Sequence, residues 1–193
     1  MYIYEMILDI LKKNGPTSIP SICQEMNQQT SHLEEQEKIV QPSQVKSAIT
    51  RKKELFKVQN DLVYIDPEKD VQYLHVHIGG VVEPAITIKV DFGKNRFVFF
   101  EWNLDQNVNV NERRTQSQVI GDVETFKKEL YRIKPWQWDA DYQKEAMVLD
   151  GVYWSVKLVT QGRVYESEGL ECYPEDWKRF CKSLTKLTGM TLL

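Results

Sequence analysis

His75 and His77 stand two positions apart in the run VQYLHVHI. On a strand that spacing turns both imidazoles to one face, an arrangement from which a metal takes two of its ligands. The third histidine, His32, lies in a distant polar stretch, and no carboxylate follows the pair at close spacing. The expectation is two ordinary strand histidines, no metal site and no cofactor. A metal-dependent nuclease core needs a carboxylate separated by one residue from its lysine. Thr87 holds that place before Lys89, and Ser155 holds it before Lys157. Cys23, Cys172 and Cys181 form no C-x-x-C and have no adjacent histidine. Gly79-Gly80 is an isolated pair, G-x-S-x-G is absent, and Asp150 before Gly151 reads as a turn former. No residue set supports hydrolysis or group transfer, so the chain is not expected to be an enzyme. Trp136 and Trp138 are candidates for ligand contact. On an extended segment their i, i+2 spacing puts both on one side, where they would stack on bases or a ligand; past a helix end the same residues plug a core.

A group of cations and hydroxyls offers recognition chemistry instead: Lys46, Ser47, Thr50, Arg51, Lys52, Lys53 and Lys57. Lysine and arginine neutralise phosphates or reach bases, and hydroxyls add hydrogen bonds. Val45, Ala48 and Ile49, then Leu55 and Phe56, supply the apolar side of a helix that Pro42-Ser43 opens. Lys46, Ser47, Thr50, Arg51 and Lys53 then fall on its other side, with Lys52 and Lys57 placed for flanking phosphates. The same face would serve as a protein-binding or simply solvated surface. Glu54 and the acids at 34–37 oppose it.

The elements that position this helix are legible around it. Ile3, Met6, Ile7, Ile10 and Leu11 make one apolar stripe on a first helix, and Asn14-Gly15-Pro16 stops it. Thr17 or Ser18 can cap a second helix with Pro20 in its first turn and Ile22, Cys23 and Met26 buried. Residues 27–41 are polar and read as a loop or an extension of that helix. After the third helix comes a ribbon: LFKV, a turn at Gln59-Asn60-Asp61, then LVYI, ended by Asp66-Pro67.

Three helices and a two-stranded ribbon give the order of a winged helix-turn-helix over residues 1–68. The strings ILDILKKNGPTSIPSICQEM, VKSAITRKKELFKV and DLVYID resemble the HARE-type winged helix. That module is found at the start of the delta subunit of bacterial RNA polymerase, in some restriction systems and in chromatin proteins. The resemblance covers about a third of the chain and implies contact with duplex DNA or with protein. The stretch at 27–41 departs from the short connection expected between the second and third helices.

Residues 71–193 read as a separate α+β domain beyond the polar stretch DPEKD. All five tryptophans fall there. VQYLHVHI, AITIKVDF and RFVFFEW are strands, with Ile86, Ile88 and Val90 on one face of the second and a turn at Gly93-Lys94-Asn95. Residues 103–118 read as loop. A helix runs from Gly121-Asp122 to about Arg132, with Val123, Phe126, Leu130 and Ile133 inward. A second hairpin spans 147–159 and 163–168, and Pro174-Glu175-Asp176 starts a last helix that buries Trp177, Phe180, Cys181, Leu184 and Leu187. The order β-β-β-α-β-β-α implies an antiparallel sheet with helices on one face. The string LDGVYWSVKLVTQGRVYESEGLECYPEDWKRF resembles a pattern in small uncharacterised bacterial proteins and implies no activity.

The net charge is −3. Residues 1–70 hold 9 basic and 11 acidic groups and residues 71–193 hold 16 and 17, so neither half is basic and nucleic-acid contact must rest on a local patch. No apolar run approaches the roughly 18 residues a membrane helix needs. An odd cysteine count without close pairing fits a reducing, cytoplasmic setting, and no signal peptide is expected. The expected function is a non-enzymatic, DNA-binding or transcription-associated bacterial protein whose second domain forms a homodimer or binds a partner. The alternative is a protein-interaction adaptor of a mobile element, defence system or polymerase, with the winged helix docking protein.

Overall fold

The computed structural model describes residues 2–30, 39–80, 84–102, 121–143 and 151–192, in two units, Met1–Asp70 and Val71–Leu193. The class is α+β. In the first unit, helix α1 (Ile3–Asn14) buries Ile7, Leu8, Ile10 and Leu11, the stripe its period dictates. Glu5 reaches back to the Tyr2 N–H at 3.2 Å, while Lys12 and Lys13 occupy the last turn, where cations suit the helix dipole. Gly15 leaves the helix at φ 74°, a region that only glycine enters without strain. Strand β1 (Thr17–Ser18) follows. Ser18 Oγ then accepts the Ser21 N–H at 3.3 Å and caps α2 (Ile19–Thr30).

The polar stretch 27–41 begins as the last turn of α2. Its middle, residues 31–38 with His32, lies outside the described residues. Where the chain re-enters, the Asn27 side chain grips the Val40 backbone twice: Oδ1 accepts the N–H at 2.8 Å and Nδ2 donates to the carbonyl at 3.0 Å. This latch delivers the chain to α3 (Pro42–Arg51), whose Val45 and Ile49 are buried. The ribbon is β2 (Phe56–Gln59) and β3 (Leu62–Ile65). Its turn puts Asn60 and Asp61 at φ 51° and 60°, the paired left-handed conformation of a two-residue hairpin. β1 adds to the other side of β3, giving the antiparallel order β1-β3-β2. Two residues are too few to leave a periodic signal, so the sequence reading missed β1.

In the second unit the strands are β4 (Val71–Gly79), β5 (Ala85–Asp91), β6 (Arg96–Trp102), β7 (Asp141–Tyr142), β8 (Tyr153–Thr160) and β9 (Val164–Leu170). They lie in the order β6-β5-β4-β8-β9-β7, antiparallel except for the β7–β9 pair. Leu74, Val76, Ile88, Val90, Trp154, Val156 and Leu158 alternate inward. Two helices cover that side. Asp122 caps α4 (Val123–Ile133) by accepting the Thr125 N–H at 2.7 Å, a bond that also lowers its carboxyl pKa. Phe126 of α4 stacks on Phe92. α5 (Trp177–Thr188) ends on Gly189 in the left-handed conformation, and its Trp177 packs on Trp154 with ring centres 4.5 Å apart.

The expected order omitted β7, again two residues long. The second hairpin, expected from 147, is observed from Tyr153; residues 144–150, with Asp150, lie outside the described residues, as does the expected loop at 103–118. No helix among the described residues is long and apolar enough to cross a membrane.

Trp154 is the hub of the second unit. It is fully buried, its Nε1–H donates to the Cys172 carbonyl at 2.8 Å, and Tyr142, Trp138, Tyr173 and Trp177 ring it. Gly169, opposite it on β9, makes this possible. A methyl group there would sit 2.7 Å from Trp154 Nε1, 2.6 Å from the Cys172 oxygen and 2.7 Å from the Tyr142 oxygen. Two of those atoms are backbone and cannot yield cheaply. Gly169→Ala is therefore expected to cost about 1–3 kcal/mol of stability by overpacking, measured by urea unfolding; an unchanged midpoint would contradict this packing.

Candidate nucleic-acid interface

α3 is positioned from its buried side. Val45 and Ile49 sit one turn apart, and Ala48 beside them is half-buried. At 100° per residue the opposite surface belongs to Ser43, Lys46, Ser47, Thr50 and Arg51. Ser43, Lys46, Thr50 and Arg51 are exposed and Ser47 is half-buried. The helix contains no acidic residue. Its start is self-capped, since Gln44 Oε1 accepts the Gln41 N–H at 2.8 Å. That spends Gln44, which the sequence reading passed over, and leaves Ser43, read there only as part of the helix start, exposed in the first turn. Thr50 Oγ1 donates to the Lys46 carbonyl at 2.9 Å, so towards a ligand Thr50 acts as an acceptor.

The seven expected interface residues divide. Lys46 and Arg51 stand on α3 in water, with no ion pair among the described residues. Lys53 is also exposed, but it lies beyond the helix end, in the turn 52–55, and not on the outer side of α3 as expected. The turn forms because Leu55 and Phe56 must be buried: the Leu55 N–H closes on the Lys52 carbonyl at 2.8 Å. Lys52 is half-buried with its ammonium 4.9 Å from the centre of the Tyr4 ring, a cation–π contact that fastens the turn to α1. Lys57 pairs with Asp66 at 3.2 Å across the base of the ribbon. Lys46, Arg51 and Lys53 are thus exposed with no ion pair among the described residues, Lys52 is held against Tyr4, and Lys57, itself exposed, is paired with Asp66.

The ribbon adds a feature missed in the sequence. Val58 is 56% exposed and Leu62 40%, while the tip carries Gln59, Asn60 and Asp61. Register would have found it. Val58 pairs with buried Val63 and so lies on the inner face, yet it is too near the tip to be covered.

The other candidates resolve into structure. Trp136 is 8% exposed and meets Tyr131 edge-on at 5.6 Å, while Trp138 packs against Trp154, Trp177 and Phe180. Pro135–Gln137 is a single 3-10 turn following Lys134 in the left-handed conformation. The two indoles therefore do not share one side of an extended segment, as their spacing had suggested. Trp177 Nε1 is the one buried side-chain donor without an acceptor among the described residues. Burial pushes the Cys181 thiol up to about 12, which keeps it unreactive. No group of three or more histidine, cysteine or acidic residues that could hold a metal occurs among the described residues.

His75 and His77 do share a face. His77 Nδ1 lies 3.1 Å from Thr87 Oγ1, and His75 sits between Lys89 on β5 and Lys157 on β8. Partial burial, followed by the charges of Lys89, His77 and Lys157, lowers the His75 pKa from 6.5.

No family model, curated protein or solved structure matches the chain.

The depressed His75 pKa has a consequence for stability. As pH falls below 6.5, the unfolded chain binds this proton before the folded one does. Stability is expected to fall with pH from there down through the lowered folded pKa, and to be flat above it on this residue's account. His75→Gln should weaken that acid-side slope in thermal melts run against pH; an identical slope would place the titration elsewhere.

Proposed function

We propose that residues 1–68 are a winged helix-turn-helix that binds duplex DNA through α3, in a non-enzymatic DNA-binding or transcription-associated protein. The observation that carries the reading is the two-sidedness of α3. Its apolar positions are buried, and its outer surface offers Lys46, Arg51, Ser43 and Thr50 with no acid on the helix. A helix held this way fits the major groove, with cations for phosphates and hydroxyls for base edges. The element order supports it: helix, short strand, two helices and a ribbon, with the short strand completing a three-stranded sheet around β3. The second domain would serve dimerisation or partner binding.

The cations set the salt dependence. With Lys46, Arg51 and Lys53 each neutralising a phosphate, the log–log slope of affinity against salt should be about −3. Replacing all three by Glu should abolish binding to a fluorescent duplex and leave the melting temperature near that of the parent, because Val45 and Ile49 are untouched. Absence of duplex affinity in the parent protein even at low salt would sink the proposal.

The ribbon favours the adaptor reading in one respect. A tip with Asp61 and no cation is repelled by phosphate, and Val58 and Leu62 are exposed apolar side chains, one on each face of the ribbon, open to contact with protein. Under that reading, Val58→Ser with Leu62→Ser would weaken a protein complex and leave duplex affinity unchanged.

A further inference from the structure

We propose that the open face of the second unit's sheet binds single-stranded nucleic acid, with phosphates over Lys89, His75 and Lys157 and bases on Tyr73, Phe100 and Tyr153. Alternation sends Leu74, Val76, Ile88, Val90, Val156 and Leu158 beneath the helices, so their strand neighbours point the other way. On that other side Tyr73, Phe100 and Tyr153 are 50%, 47% and 38% exposed. Rings held half-exposed on a rigid sheet are stacking platforms, because every base has a π-face.

Strand register gathers the cations. Lys89 of β5 and Lys157 of β8 are the partners of His75 on either side, which makes one row across adjacent strands. Adjacent strands lie about 4.8 Å apart and same-face neighbours along a strand about 6.8 Å. Tyr73 stands one such step along β4 from His75. Phe100 stands one step along β6 from Val98, the partner of Lys89, and Tyr153 two steps along β8 from Lys157. The rings therefore surround the row within the reach of one short strand.

Charge names the occupant. The acids that β5, β8 and β9 carry on this face are engaged within the sheet. Asp91 accepts the Lys94 N–H at 3.0 Å and pairs with Arg96 at 3.8 Å. Glu168 accepts the Tyr153 hydroxyl at 2.7 Å, and Glu166 pairs with Lys157 at 2.7 Å. That last pair is exposed at both ends, so it is worth little and yields Lys157 to a competing phosphate. Lys89 is exposed and makes no ion pair among the described residues. Partial burial, then Lys89, His77 and Lys157, depress the His75 pKa, and no carboxylate opposes them; the field at the centre of the row is positive. The row suits an anion, and the rings around it favour one that carries bases over an acidic peptide. A duplex keeps its base faces in the stack, whereas a single strand offers them.

Fluorescence anisotropy of the full chain with a labelled oligothymidylate, and separately an oligouridylate, tests this. Binding of either supports the proposal, the tighter of the two naming the sugar. The affinity should weaken as salt rises and fall about tenfold in each of Tyr73→Ala and Phe100→Ala. Lys89→Glu should weaken it as well. Glutamates at Lys46, Arg51 and Lys53 should leave it unchanged, which separates this face from the duplex reading of α3. No affinity for either strand at low salt would overturn the proposal. So would affinity indifferent to the three sheet substitutions, or affinity lost with the α3 glutamates. Displacement of the oligonucleotide by an equal concentration of polyglutamate would overturn it too, and would reassign the face to acidic protein. The three substituted side chains are exposed, so each variant should keep its melting transition. Should one melt without cooperativity, the His75 ring resonance of the wild type decides: a shift on adding the oligonucleotide supports the site, and an unmoved resonance refutes it.

Discussion

Val45 and Ile49 are buried four residues apart, and their burial decides what α3 shows to solvent. Once they enter the core formed with α1 and α2, the helix cannot rotate without exposing one of them, at a cost on the order of 1.5–3 kcal/mol per side chain. Lys46, Thr50 and Arg51 are then held outward by the core, although none of them makes an ion pair among the described residues. The neighbouring contacts serve the same end. The Asn27–Val40 latch fixes where α3 begins, and Lys52 over the Tyr4 ring fixes where the chain goes after it. A surface supported on both flanks would lose little freedom on meeting the proposed ligand.

The second unit is governed by a different economy. Its sheet buries one face beneath α4 and α5, and Trp138, Trp154 and Trp177 collect where β8, β9 and α5 meet. Full burial of Trp154 takes its indole N–H away from water, and the Cys172 carbonyl supplies the acceptor that Trp177 beside it lacks among the described residues. That bond draws the 170–176 connection over the sheet and sets the point from which α5 starts. The centre and the β9 side are consequently well packed, and the opposite edge, β6, is left with half-covered phenylalanines.

Much of this was legible because it obeys period or turn chemistry. The stripes of α1, α4 and α5, the Asn60-Asp61 turn, the Asp122 cap and the Gly189 stop each follow from residue type and spacing. What escaped had no local signature. β1 and β7 are pairs of residues whose pairing is decided by distant strands. Lys53 continues the helical count of α3 in sequence, but burial of Leu55 and Phe56 bends the chain away at Lys52. Trp136 and Trp138 looked like a stacking pair because spacing says nothing about a left-handed Lys134 followed by a 3-10 turn. The contacts of Lys52 with Tyr4 and of Lys57 with Asp66 are likewise tertiary, so sequence could count the cations of the proposed interface but not say which of them are paired.

Charge bears on the proposed contact with DNA. A chain of net charge −3 repels nucleic acid at long range, and three outward cations offset this only locally. Since the salt-dependent part of affinity grows with the number of phosphates neutralised, the contact proposed for one α3 face is a weak one. Asp66 accepts from the backbone N–H groups of Lys69 and Asp70, at 2.7 and 3.0 Å, and its side chain takes the Glu68 N–H at 3.0 Å and pairs with Lys57. The stretch 66–70 is a hydrogen-bonded turn within the first unit, more defined than its polar composition implies.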